Sequence, residues 1–245
     1  MGDPPILEAR RLTKRFGALT ALDGLDFDLA RGESLAVFGP NGAGKTTLTR
    51  ILTSSLRMTS GSILIDGRDP RAHEIETKRI LGLISHQTFL YDDLSARENL
   101  IFFARLYGLD APGERADALL DSVRLLDRAD DPARTFSRGM QQRLALARCL
   151  IHDPRIVFLD EPFTGLDPYA AALLRATLER LRHEGRTLFL VTHNLAEGLE
   201  LSDRFMILAG GRIRAQGVSR GLDRLAFERS YFEHVGGPPP GGARA

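Results

Sequence analysis

Lysine is nearly missing from this chain. Of 33 basic residues only Lys14, Lys45 and Lys78 are lysines, and arginine supplies the rest. A GC-rich coding bias accounts for arginine as the default, so a lysine at a special position marks a need for a compact point charge. Cysteine is scarcer still. Cys149 is the one thiol, which excludes an intrachain disulfide and a multi-thiolate metal site and fits a reducing compartment. An excess of charge is also lacking: 33 Lys+Arg against 32 Asp+Glu leaves a net charge of +1. That balance provides no long-range field for duplex nucleic acid or an anionic bilayer, and no nucleic-acid partner is expected. No apolar run approaches the ~20 residues that span a membrane; the longest, such as Thr187 to Val191, read as buried strands. Met1 to Arg11 has no basic region followed by an apolar run, so no secretory leader is expected there. What remains is a chain of 245 residues, 43% apolar and 27% charged, long enough to bury a real core.

The first third reads as strands and turns. Ile6 to Ala9 is short and mixed; Leu25, Phe27 and Leu29 alternate with Asp26 and Asp28, the period of a half-exposed strand. Leu35 to Phe38 is an unbroken apolar run, as in a fully buried strand. Helical spacing follows over Thr47 to Leu56, then short strands at Ile63 to Ile65 and Leu81 to Ile84. The middle third is helical. Ser95-Ala96-Arg97-Glu98 is a capping box that opens a helix through Tyr107, with Gly108 ending it. Pro112 starts a second helix, and a third follows Ser137 to about Leu150. Residues 92–152 thus read as an all-helical insert. The last third returns to strands at Ile156 to Leu159 and Leu188 to Val191 around a helix from Pro168 to Glu184, and Gly210-Gly211 is a hairpin turn. Strands alternating with helices imply an α/β fold with a mostly parallel sheet. Arg220, Arg224 and Arg229 alternate with acidic residues as on a solvated helix face. The Gly/Pro-rich end, 236–245, is expected to be disordered.

Gly39-Pro40-Asn41-Gly42-Ala43-Gly44-Lys45-Thr46 fits G-x-x-x-x-G-K-[ST]. It follows a buried strand and opens a helix, the context phosphate binding requires. Backbone N–H groups can turn inward around phosphate oxygens, and the helix N-terminus adds partial positive charge. Lys45 would reach the β- and γ-phosphates, and the Thr46 hydroxyl would ligate Mg²⁺. Ile156 to Leu159 ends in Asp160 and Glu161, where open α/β sheets bind ligands. Alone, such a pair is a solvated strand end. With the phosphate loop upstream, Asp160 is placed to hold Mg²⁺ and Glu161 to polarise an attacking water.

With these residues in hand, the chain closely resembles the nucleotide-binding subunit of an ABC transporter, from about Leu7 to Arg214. Phe16 matches the aromatic that stacks on adenine, and Gln87 the glutamine that senses Mg²⁺ and faces the membrane partner. Ser137-Arg138-Gly139-Met140-Gln141-Gln142-Arg143 matches the family signature, with Phe136, Arg138 and Met140 departing from the commonest Leu, Gly and Gln. Gly165-Leu166-Asp167 matches the loop after the catalytic carboxylate, and His193 the switch histidine. The resemblance implies a P-loop NTPase (RecA-like) core with an N-terminal antiparallel β-subdomain and an inserted helical subdomain, one domain over 5–235. It implies an ATPase with ATP and Mg²⁺ as cofactors. Its catalytic residues are Lys45, Glu161 and His193. Phe16, residues from Gly39 through Thr46, Thr47, Gln87, Ser137 and Gly139 hold nucleotide, and Thr46, Gln87 and Asp160 the metal. Ser137 and Gly139 would touch the γ-phosphate held by a second copy, so the unit is an ATP-bridged homodimer that drives a separate integral membrane subunit. The place implied is cytoplasmic, at the inner face of the cell membrane.

Two local stretches, Ser85-His86-Gln87 and Leu94 through Tyr107, resemble the ATPase that exports haem for c-type cytochrome maturation, and Asp160 through Asp167 fits it too. Haem export is therefore the expected cargo function, with no direct haem contact expected of His86. A multidrug- or lipid-type exporter is the alternative, and a soluble ATP-gated scaffold for cofactor assembly a further one. Long coiled-coil inserts or a second cassette, the marks of DNA-repair and translation relatives, are not seen.

Overall fold

Charged residues interrupt the first strands without ending them. In the computed structural model, which describes residues 4–85 and 87–236, the chain begins with β1 (Leu7–Phe16), β2 (Leu19–Leu29) and β3 (Ser34–Phe38). Then come α1 (Lys45–Leu52), β4 (Ser60–Ile65), α2 (Glu74–Arg79) and β5 (Leu81–Ile84). The helices α3 (Ala96–Leu106), α4 (Pro112–Ser122) and α5 (Arg138–Leu150) follow, with short 3₁₀ turns at Leu126–Arg128 and Ala133–Thr135. The chain continues with β6 (Ile156–Asp160), α6 (Pro168–His183), β7 (Thr187–Val191) and α7 (Leu195–Glu200). It closes with β8 (Arg204–Ala209), β9 (Arg212–Val218) and α8 (Arg224–Val235). The described residues form two compact units, the second being Lys78–Arg186 and the first the segments on either side of it.

In the first unit, β1 pairs antiparallel with β2 on one edge and β4 on the other. β3 lies between β7 and β8, parallel to both, and β9 returns antiparallel on β8. All five residues of β3 and of β7 are buried, as a strand covered on both faces requires. Phe227 of α8 packs edge-on against Phe38 of β3 and Phe205 of β8, centroids 5.4 and 4.8 Å away. Each such ring buried contributes roughly 1.5–3 kcal/mol.

In the second unit, β5 and β6 pair in parallel, Leu81 opposite Ile156. The three helices α3, α4 and α5 enclose a core of Leu100, Ala104, Leu120, Leu144 and Ile151. The capping box forms as read: Ser95 Oγ accepts from Glu98 N at 3.1 Å and Glu98 Oε2 from Ser95 N at 2.8 Å. This unit is wider than the all-helical stretch 92–152, since it also takes β5, β6 and α6.

Several element bounds differ from the sequence reading. β1 and β2 are two to three times longer than the short apolar stretches suggest, because register shifts at Ala9/Leu12 and beyond break the alternation. The helix expected over Thr47 to Leu56 is α1, starting two residues earlier and ending four earlier; Ser54, at φ 58°, cannot continue it. The six-residue helices α2 and α7 are too short to show a 3.6-residue period. Gly236 ends α8 at φ 75°; residues 237–245 of the expected tail, and His86, lie outside the described residues.

Candidate nucleotide site

The phosphate loop belongs to the first unit and is shaped by its backbone. Gly44 is the N-cap of α1 at φ 105°, and having no side chain it makes no cap hydrogen bond to the amides of the first turn. A Cβ on Gly44 would stand 2.6 Å from Ala21 O, and one on Gly39 would collide with the Leu208 carbonyl. Lys45 is 9% exposed, and its Nζ donates to Gly39 O at 2.6 Å and Pro40 O at 3.0 Å. The ammonium is thus curled back over the loop it would share with phosphate.

Phe16, Asn41, Gly42, Ala43, Gly44, Lys45, Thr46 and Thr47 line one pocket of about 510 Å³, with Thr20, Gly210 and Gly211 completing its wall. The sequence reading took Gly210-Gly211 for a turn alone. In the structure Gly211 N donates to Ala43 O at 3.2 Å, and Asp23 N to Gly211 O at 2.8 Å, so the hairpin backs the loop. Phe16 is 47% exposed, with Lys14 Nζ 4.7 Å from its ring centroid, a half-open face suited to a planar base. His193 is outside that lining. It stands exposed between β7 and α7, its neighbours fixed by Thr192 N donating to Val37 O and by Asn194 Oδ1 capping Glu197 N.

The second unit holds the other residues. Asp160 ends β6 at 7% exposure. Glu161 follows at φ 53°, a left-handed backbone that costs a non-glycine residue about 1–3 kcal/mol and clusters at functional sites. Gln87, Gln141, Gln142, Glu161 and Thr164 line one cavity of about 610 Å³ together with Arg138. Gln87 is exposed, and its amide N–H donates to Ser85 Oγ at 3.2 Å. Ser137 caps α5, its Oγ accepting from Met140 N at 3.3 Å. Gly139 is buried, and a Cβ there would lie 2.6 Å from Ala170 Cβ. Arg143, at the end of the signature, donates to Val123 O at 2.8 Å and Arg124 O at 2.9 Å, and burial holds its guanidinium below the usual arginine range. Arg138, Gln141, Gln142 and Thr164 carry no individual role in the sequence analysis; the first three lie within the signature, and Thr164 follows Glu161 by three residues.

The donor chemistry fits Mg²⁺. In the first unit Thr46 offers a hydroxyl; in the second Gln87 offers an amide oxygen and Asp160 a carboxylate. Each is a hard oxygen donor of the kind this ion takes alongside phosphates and water. Among the described residues no cluster of three His, Cys, Asp or Glu side chains forms an all-protein cage for it. No helix among them is long and apolar enough to cross a membrane.

A family model described as ABC transporter matches residues 22–164. A Nod factor export ATP-binding protein I of Ralstonia nicotianae is 39% identical over 219 residues, covering 89% of this chain and 68% of that protein. The daunorubicin resistance ATP-binding protein DrrA3 of Streptomyces coeruleorubidus is 41% identical over 208 residues, 84% of this chain and 66% of that one. The chain therefore spans about two thirds of the length of these two relatives. Among solved structures, cbiO1 of Clostridium perfringens, part of the ABC transporter complex cbiONQ, superposes with a TM-score of 0.82 at 26% identity, over 94% of this chain and 93% of that one. The ATP-binding cassette MJ0796, dimeric in a post-hydrolysis state with ADP and Pi, gives 0.80 at 25% identity over 88% and 100%.

Proposed function

Because this chain belongs to the ABC transporter family, we propose that it is the ATP-hydrolysing subunit of an export complex, working as an ATP-bridged pair at the inner face of a membrane. The observation that carries this reading is the phosphate loop, where an uncapped helix start, a buried lysine and a half-exposed aromatic line one pocket. ATP with Mg²⁺ is the ligand of the family's ATPase domains, and hydrolysis its reaction.

The chemistry is assigned residue by residue. Phe16 stacks on the base, and the loop amides from Gly39 through Thr47 hold phosphate oxygens. Lys45 leaves its two carbonyls to neutralise the β- and γ-phosphates. Thr46, Gln87 and Asp160 hold Mg²⁺, which when bound supplies further charge neutralisation. Glu161 polarises the attacking water, and His193 hydrogen-bonds the γ-phosphate. Ser137 and Gly139 contact the γ-phosphate bound by the second copy, with the start of α5 aimed at it. Since charge in phosphoryl transfer spreads over several oxygens, these donors supply most of the acceleration. Hydrolysis removes the bridge between copies, and Gln87 passes the change to a separate membrane subunit. The dimeric, ADP- and Pi-bound state of MJ0796 supports the pairing, and the cbiONQ complex that contains cbiO1 supports a multi-subunit assembly.

For cargo, the relatives named for Nod factor export and daunorubicin resistance favour the drug- or lipid-type alternative. Haem export rests on the local likeness of Ser85-His86-Gln87, the 94–107 stretch and Asp160 through Asp167. Replacing Glu161 with Gln tests the core of the reading. Hydrolysis is expected to fall at least about a hundredfold with ATP affinity kept, and the sedimenting mass to double from 27.0 kDa in excess Mg-ATP. Normal turnover, or monomers only at saturation, refutes it.

A further inference from the structure

Arg138 stands where the commonest signature has glycine, and the turn after Glu161 shows where its side chain goes. A methyl built on Gly165, at φ 74°, would fall 2.6 Å from Arg138 Cζ, 2.8 Å from Nη1 and 2.9 Å from Nε. Three such similar distances put the guanidinium plane face-on against the Gly165 backbone. Only a residue without a side chain leaves room for it, and an ammonium has no plane to lay there.

The first turns of α5 meet the same segment at two more points. Gly139 abuts Ala170, and Gln142 Nε2 donates to Pro162 O at 3.1 Å. The segment between is internally tied: Thr164 N donates to Glu161 O and Leu166 N to Phe163 O, each at 3.2 Å, and Asp167 Oδ1 accepts from Ala170 N at 2.8 Å. Glu161 starts this turn in a left-handed conformation, so its carboxylate direction depends on how the turn is held. Arg138 and Glu161 also line the same cavity.

We propose that Arg138 is a positioning residue, laid on Gly165 so that the start of the signature helix and the Glu161–Asp167 turn move as one piece. The proposal rests on the roles given above to Ser137, Gly139 and Glu161. If a chain's signature grips the nucleotide of its mate while its Glu161 serves its own, this contact carries the state of one nucleotide to the carboxylate at the other. Arg138 itself touches no reacting atom. It makes turnover at one site respond to occupancy of the other.

The test uses the full chain with Arg138→Ala, Arg138→Lys, Gly165→Ala and the Arg138→Ala/Gly165→Ala pair. Arg138→Ala is expected to lower kcat about tenfold with KM for ATP within about twofold, the pattern of a group that acts after binding. The Hill coefficient for ATP falls toward one. Arg138→Lys, which keeps the charge without the plane, behaves alike. Gly165→Ala puts a methyl where the guanidinium lies and slows turnover alone, but the double variant is no slower than the slower single, because one contact is lost in both. In the nucleotide-free protein, amide hydrogen exchange across 162–166 rises about tenfold in Arg138→Ala, as expected when a local restraint is lost. Wild-type kcat, a raised KM with kcat kept, multiplying effects in the double variant or unchanged exchange each overturn the proposal. If Gly165→Ala does not fold, the exchange measurement and the kcat-against-KM split of the Arg138 variants still decide it. Should Glu161→Gln hydrolyse ATP normally while the exchange change persists, the Glu161 assignment fails and the Arg138 contact stands.

Discussion

Lys45→Ala should separate nucleotide binding from folding. Without nucleotide, Lys45 donates to two loop carbonyls, one of them on the exposed Pro40. Alanine removes two hydrogen bonds worth ~1 kcal/mol each, but also removes a buried charge, and of the two carbonyls released that of Pro40 lies on an exposed residue. The two effects offset to within about 1 kcal/mol, a change of roughly 2–4 °C in melting temperature for a chain of this size. With nucleotide, the ammonium would make two hydrogen bonds to phosphate, each worth at least ~1.5 kcal/mol because a charge takes part. Losing ~3 kcal/mol weakens Kd about a hundredfold. Calorimetry measures this directly, and thermal shift gives an independent reading. At about 100 times its own Kd of Mg-ATP the wild type gains ~2.7 kcal/mol, or roughly 5–10 °C, whereas the variant at that concentration sits near its Kd and gains only about 1 °C. An unchanged Kd, or equal thermal shifts, refutes the role of Lys45.

Further outcomes are expected elsewhere in the chain. Ser137→Arg removes the α5 cap, lowering stability by ~1 kcal/mol, and should abolish hydrolysis while single copies still bind ATP; full turnover would mean the site is not shared. Burial holds the His152 imidazole below its ordinary value, with its ring stacked on Tyr107 at 4.0 Å and Nε2 bonded to Leu81 O at 2.9 Å. The unfolded chain then takes up a proton that the folded one refuses. Stability is complete above about pH 6.5 and falls as pH drops below it, by up to ~1.4 kcal/mol per unit until the folded value is reached. His152→Gln should flatten that part of the melting profile, and an unaltered slope counts against the assignment. Cys149 is buried, its thiol pushed up to about 12 by desolvation, so a disulfide reagent should label it only after unfolding; rapid labelling of the native chain would contradict its burial.

Legibility in the sequence followed locality. The Ser95–Glu98 box, the Gly210-Gly211 turn and the residues from Gly39 through Thr46 each carry their geometry within a few positions, because caps, tight turns and phosphate cradles are built from adjacent backbone groups. The buried strands at Leu35, Ile156 and Leu188 were equally plain as apolar runs. The full lengths of β1 and β2 were not, since bulges interrupt their period and partner strands hold the charged stretches in line. α2 and α7 were too short to show a pattern.

Contacts between distant positions had no trace in the string of letters. Arg138 on Gly165, Gly211 behind Ala43 and His152 on Tyr107 depend on how elements pack. The motifs and their order, through the resemblance they carry, determined the family and its reaction class, and they nominated the residues proposed to handle phosphate. Tertiary structure alone decided that a glycine hairpin supports the loop, that Lys45 rests on carbonyls, and that the odd arginine of the signature lies on the turn after Glu161. Motifs are written by neighbouring residues, whereas a side chain's partner is chosen by the packing of the whole fold around it.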